Sequence, residues 1–314
     1  MPPIQHPFFS NPRVVILLAS FCCLLWGSAY PGIKLGYSMF HIAASDIPSK
    51  LVFAGYRFTF AGLALLIVAV VTRRNIFVLN RSNIFPMCLL GLTQTFMNYV
   101  FFYIGLAYTT GVKGSIMNST STFFSVLLAH FIYRNDRLST PKVIGCLIGF
   151  FGVMVVNFTP DLLDFDFTLL GEGFVVIASF VFSCATILGK KLSQKMDSVV
   201  LAGYQLGIGG VALTIIGYST GGTLSGFTWL PTLLLGYLVV LSAASFGLWT
   251  VLLKYNRVGL VTVYYFLIPI FGVFLSAFFL NENIFEWKNI IALILVSAGI
   301  WLATRERNPW NKLV

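Results

Sequence analysis

A chain of 314 residues that is 58% hydrophobic and only 10% charged, with a mean hydropathy of +0.89, is not a soluble domain, where about a quarter of residues carry charge. Its net charge of +10 does not point to nucleic acid either, because the basic residues sit mostly in short connections between apolar runs. The partners to expect are a lipid bilayer and a small-molecule substrate.

Windows of about 19 residues predict ten spans, near 14–39, 50–71, 84–108, 113–133, 142–159, 169–189, 198–219, 231–253, 259–280 and 287–304. The expected fold is an all-α integral membrane protein of ten transmembrane helices. Before the first span lies a tail, 1–13, whose one basic residue is Arg13; that span is too long for a cleaved signal and is expected to stay. A short connection, 160–168, separates spans five and six, and a second tail covers 305–314. Cys22, Cys23, Cys88, Cys146 and Cys184 all fall inside apolar runs without metal-ligand spacing, so they read as packing residues and no metal or cofactor is expected.

Charge sets the orientation. With a cytoplasmic N-terminus, 15 of the 20 basic residues lie in cytoplasmic segments, among them Arg73, Arg74, Arg134, Arg137, Lys142, Lys190, Lys191 and Lys254. The other side holds Lys50, Lys113 and Lys288 and collects Asp46, Asp161, Asp164, Asp166, Glu282 and Glu286. Both termini are therefore expected in the cytoplasm.

The chain also repeats itself. Residues 54–65 in span two align with 202–213 in span seven at six of twelve identical positions, and nearly the same shift places Tyr108 over Tyr255, Asp136 over Glu282 and Gly152 over Gly299. Each half, 14–159 and 169–304, holds five spans; an odd number makes the copies inverted repeats, the architecture of alternating access. Glycines at spacings of three, four or seven, such as Gly55 with Gly62 and Gly145 with Gly149 and Gly152, predict close helix contacts.

Trp26-Gly27-Ser28 through Lys34, Tyr56-Arg57 early in span two, the Leu280-Asn281-Glu282 turn after span nine, the ten spans and the two halves together resemble the EamA family of the drug/metabolite transporter superfamily. The resemblance covers nearly the whole chain. It implies a ten-helix inner-membrane exporter with a central cavity between the halves, of amino acids, other metabolites or drugs. One departure is the proline the family often has in span four: Pro269 is its match in span nine, but none stands near Thr122, so the resemblance carries no symmetric role for these two spans.

Two cations and a broken helix are the first site candidates. Lys34 lies roughly five residues from the outer end of span one, about 7 to 8 Å deep, where it either snorkels or lines a pathway. Pro31 frees the carbonyl of Gly27 and favours a polar surrounding there. Arg57 cannot shed its charge; it calls for a structural partner such as Glu172 or for a substrate carboxylate held in a bidentate fork. Tyr56 precedes it, and Gln205 holds its aligned place in span seven. Gln94, Asn98 and Phe102 are spaced to share a face of span three beside Tyr99. Asn118 opens the polar run 118–122 in span four, and Trp26, Tyr30, Trp249 and Tyr265 are candidate cavity walls.

A membrane carrier exporting small metabolites, above all amino acids or similar amphipathic zwitterions, is the leading expectation. A drug or cationic-amine exporter of the same fold is the alternative, with cation-π contacts to aromatic walls. A membrane enzyme would need paired carboxylates or metal ligands, which the ten mostly loop-borne acids and His6, His41 and His130 do not provide, so no catalytic residue is assigned. A structural subunit is the remaining reading. Glu172 is the coupling candidate if protons take part, and otherwise export is facilitated. The oligomeric state stays open, a monomer being compatible.

Overall fold

The computed structural model describes residues 6–77, 83–158, 167–280 and 287–305. Ten helices run through them: α1 Pro12–Met39, α2 Ile47–Val71, α3 Ile84–Tyr108, α4 Lys113–Ile132, α5 Thr140–Val156, α6 Leu169–Ser193, α7 Ser198–Ser219, α8 Trp229–Tyr255, α9 Val258–Ser276 and α10 Trp287–Thr304. Nine are long and apolar enough to cross a membrane, and α5, with 17 residues, sits at the lower limit for spanning. The turn at Asn281-Glu282, the acids Asp161, Asp164, Asp166 and Glu286, and most of the connection 160–168 and the tail 305–314 lie outside the described residues.

Helix starts follow from local chemistry. Asn11, Asp46, Ser139 and Asp197 each accept a hydrogen bond from a backbone N–H of the first turn, and a proline stands at the opening of α1, α2 and α5, where its missing N–H costs nothing. Ten crossings return the chain to the face from which it starts. We call this the terminal face; there, the Asn256 amide between α8 and α9 donates to the Phe9 carbonyl at 2.9 Å.

The packing pattern is its own image under the exchange of halves. α2 packs on α7 and α5 on α10, each pair joining equivalent helices. The contact of α1 with α9 is repeated by α6 with α4, that of α1 with α8 by α6 with α3, and that of α2 with α8 by α7 with α3. Two inverted five-helix repeats produce this pattern. Glycine makes the self-paired contacts possible: a Cβ at Gly62 would meet the Gly207 nitrogen at 2.4 Å, and one at Gly145 the Gly299 carbonyl at 2.5 Å.

Both α4 and α9 are interrupted near their middles. In α9 the break is the 3-10 turn Val263–Phe266, just ahead of Pro269, whose ring cannot accept a normal turn at Tyr265. In α4 it falls at Ser119, with no proline. Hydroxyls take over: Ser119 Oγ donates to the Ser115 carbonyl at 3.0 Å, Thr120 Oγ1 to that of Met117 at 2.6 Å, Ser179 Oγ of α6 to that of Asn118 at 3.2 Å, and Ser183 Oγ to that of Ser121 at 2.9 Å. The backbone groups loosened by the break are thus satisfied inside the protein, as a hydrocarbon surrounding demands. The two repeats share a broken fourth helix after all, by different chemistry.

Candidate functional site

The centre of the bundle is aromatic. Trp26 of α1 meets Phe246 and Trp249 of α8 edge to face, at ring-centroid distances of 5.4 and 5.0 Å, and Tyr265 of α9 stacks on Trp249 at 4.6 Å. All four are buried. From Phe246 the chain of rings continues through Phe58 of α2 to Tyr99 and Tyr103 of α3.

Beside these rings lies Arg57, about midway along α2 and only 2% exposed. Its Nε donates to Ser242 Oγ of α8 at 2.6 Å, and Ser242 passes its own proton to the Leu238 carbonyl at 2.7 Å, so the guanidinium is anchored across the two repeats. The cation stands 4.9 Å from the centre of the Phe58 ring, which in turn packs on Tyr99 at 4.6 Å. Among the described residues no carboxylate lies within ion-pair distance of it; the ion pairs there are Arg74–Asp197 and Lys142–Asp136.

Glu172, the structural partner the sequence offered for Arg57, is committed elsewhere. It sits in the π-helical turn Leu169–Gly173 that opens α6, where one oxygen accepts from Thr109 Oγ1 at 2.5 Å and the other from Thr168 N and Oγ1, both at 2.9 Å. This clamp ties the start of α6 to the end of α3, like a capping carboxylate.

Other candidates divide. Tyr30 and Lys34 follow Trp26 on α1 at steps of four and are both exposed, Lys34 within about five residues of the helix end farthest from the N-terminus. The Tyr30 ring covers Gly272 of α9. Tyr99 joins the Arg57 cluster, while Asn98 and Phe102 nearby are half-buried. Tyr56 turns away from its neighbour Arg57: its hydroxyl meets that of Tyr218 on α7 at 3.1 Å. Gln205 is buried between α7 and α3, donating to Thr95 Oγ1 at 3.1 Å, and Gln94 is buried facing Gly189 of α6. Asn118 is half-buried at the α4 break. Ser242 and Phe58, both against Arg57, are additions that the sequence does not single out.

The terminal face is tightly held. Asp136, between α4 and α5, is 1% exposed; its Oδ1 accepts from Lys142 Nζ at 3.0 Å and its Oδ2 from the backbone N of Gly259, at the start of α9, at 2.7 Å. Lys142 Nζ also donates to the Arg137 carbonyl at 2.9 Å. Next to this pair, Lys190 of α6 donates to the carbonyls of Leu253 and Asn256 at the end of α8, and Tyr133 Oη donates to the Ile187 carbonyl at 3.2 Å. Burial, and after it the Asp136 charge, pushes the Tyr133 phenol up to about 12. The first repeat is thereby fastened to α6 and α9 of the second.

Two surface clefts, one along α8 from Trp229 to Val240 and one at the end of α2 from Val70 to Phe77, are shallow and include none of the Arg57 cluster.

The model of the EamA-like transporter family matches residues 13–158 and 169–305, one match per repeat. An uncharacterized transporter of Archaeoglobus fulgidus is 26% identical over 303 residues, spanning 95% of this chain and 99% of that protein. The uncharacterized transporter YvbV of Bacillus subtilis is 28% identical over 299 residues, spanning 92% and 91%. A crystal structure superposes with a TM-score of 0.76 at 17% identity, covering 94% of this chain and 98% of that one, a likeness of fold.

Proposed function

The chain belongs to the EamA-like transporter family, and from that premise we propose that it is an alternating-access exporter of small metabolites bearing a carboxylate, amino acids among them, in a bacterial inner membrane with both termini in the cytoplasm. The observation that carries this reading is Arg57: a permanent cation, buried near mid-membrane, anchored by Ser242 and left without a carboxylate among the described residues. Such a charge is expensive in a low-dielectric surrounding unless an anion visits it. The surrounding rings supply an apolar wall for the rest of the molecule. Inverted repeats supply the motion, the Asp136–Lys142–Gly259 fastening acting as the cytoplasmic-side contact that would have to part, with Lys34 near the outer end of α1. A cationic amine or drug fits less well, since Arg57 would repel it.

Counterflow of labelled amino acids into proteoliposomes tests the reading against protein-free vesicles. Accumulation of a carboxylate-bearing class that disappears in Arg57→Gln, with the variant folded, supports it. Accumulation unchanged by the substitution would sink it.

A further inference from the structure

We infer that Lys34 and Lys190 are a pair of alternating latches, each closing one end of the bundle by seating its ammonium group on the last carbonyls of a helix: Lys190 on α8 in this conformation, Lys34 on α3 in the opposite one. The inference rests on the alternating-access reading and names contacts that form and part during the cycle.

Six helices form two groups. α1 packs on α8 and α9, and α6 packs on α3 and α4. At the terminal face the groups are joined: Lys190 Nζ of α6 donates to the Leu253 carbonyl of α8 at 2.8 Å and to the carbonyl of Asn256, the residue that caps α8. Lys254 Nζ of α8 donates in turn to the Met196 carbonyl, between α6 and α7, at 3.1 Å. The last carbonyls of a helix lack intrahelical partners and form its negative pole, so an ammonium group is well satisfied there. Accordingly α6 packs on α8, whereas α1 and α3, which correspond to them in the first repeat, pack on each other far less.

Inverted repetition specifies the missing contact. One register carries Lys34 onto Lys190 and Gly27 onto Ser183. The register that places Tyr108 over Tyr255 carries Leu106 and Thr109 onto Leu253 and Asn256, and Ser125 onto Gly272. Both registers hold together in space: Ser125 Oγ donates to Ser183 Oγ at 3.1 Å, and a Cβ at Gly27 would come to 2.9 Å from the Gly272 nitrogen. The helix ends match as well, Thr109 closing α3 with φ −135° and ψ 165° and Asn256 closing α8 with φ −122° and ψ 163°. The counterpart of the Lys190 contact is therefore Lys34 on the Leu106 and Thr109 carbonyls. It is not made in this conformation: Lys34 is exposed and has no hydrogen bond or ion pair among the described residues. Both latches seated at once would join the two groups at both ends, so opening one is the condition for closing the other.

The test reads a distance in the purified full chain in lipid nanodiscs by double electron-electron resonance, without substrate, so that a contact of Lys34 with substrate does not enter. Spin labels go on Ser38→Cys of α1 and Ala107→Cys of α3, both exposed, with Cys88 and Cys184, the cysteines that are not buried, replaced by alanine. With both lysines present, the long distance of this conformation should dominate. Lys190→Met, or the milder Lys254→Met, releases the terminal face and should move about half of the molecules to a shorter distance. Adding Lys34→Met should cut that shorter population about fivefold, while Lys34→Arg, which keeps a charge for the helix end, should preserve it. Monodisperse elution verifies the folding of each variant. A shorter population undiminished by Lys34→Met, or no shortening in either released variant, would overturn the inference, and a chain that still performs counterflow keeps the alternating-access reading. Absence of counterflow from the unsubstituted chain would bring down that reading and this inference with it.

Discussion

Two buried cations, Arg57 and Lys142, are each 2% exposed, and the protein treats them in opposite ways. Lys142 is neutralised on the spot: Asp136 lies 3.0 Å away, and the remaining capacity of both groups goes to the Arg137 carbonyl and the Gly259 N–H. Arg57 has an anchor in Ser242 but no counter-ion among the described residues. A charge that is fully paired belongs to the architecture; one without a counter-ion among the described residues lowers stability, and in the function proposed above it is kept for a substrate carboxylate.

That contrast can be broken from either end, and the largest effect is expected at the terminal face. Asp136→Ala leaves Lys142 buried without its partner and the Gly259 N–H unsatisfied, and should cost about 3–5 kcal/mol, read as a sharply lowered melting temperature in detergent. Arg57→Met removes the unpaired charge while keeping the volume; counterflow should vanish while the melting temperature holds or rises, the reverse of the Asp136 result. Gly259→Ala presses a methyl to 2.9 Å from Asp136 Oδ1 and should cost about 1–3 kcal/mol, measurable in the same melts. The smallest change is expected for Glu172→Gln: an amide can still accept from Thr109 or Thr168, so stability should fall by no more than about 1 kcal/mol, and transport should keep its wild-type response to an imposed pH difference. A lost pH response in that variant would make Glu172 a coupling group.

Much of this architecture is legible in the sequence because the bilayer imposes a length on each helix. All ten spans fall within a few residues of their expected positions, and the duplication visible at 54–65 and 202–213 reappears as the packed pair α2 and α7. The direction each side chain faces is less legible. Helices apolar all round give no periodicity from which to read an inner face, so Tyr56 could be grouped with Arg57 although it reaches Tyr218, and Gln205 could be placed at the site although it packs on Thr95. Glu172 was the natural acidic partner for Arg57 by charge, but the sequence does not reveal that two threonines, 63 and four residues away, claim its oxygens first. Ser242 escaped because one serine among many carries no signal until a guanidinium is found against it.

The break in α4 has a consequence for reversibility. Proline in α9 deletes an N–H, and no movement of neighbouring groups can restore the missing bond. Ser119, by contrast, keeps its N–H, which still donates to the Ser115 carbonyl at 3.2 Å, and the hydroxyls bonded around the break can each rotate away. One repeat therefore carries a permanent fracture and the other a joint that can heal: two halves alike in outline differ in whether their central break is written into the covalent chain or only into its hydrogen bonds.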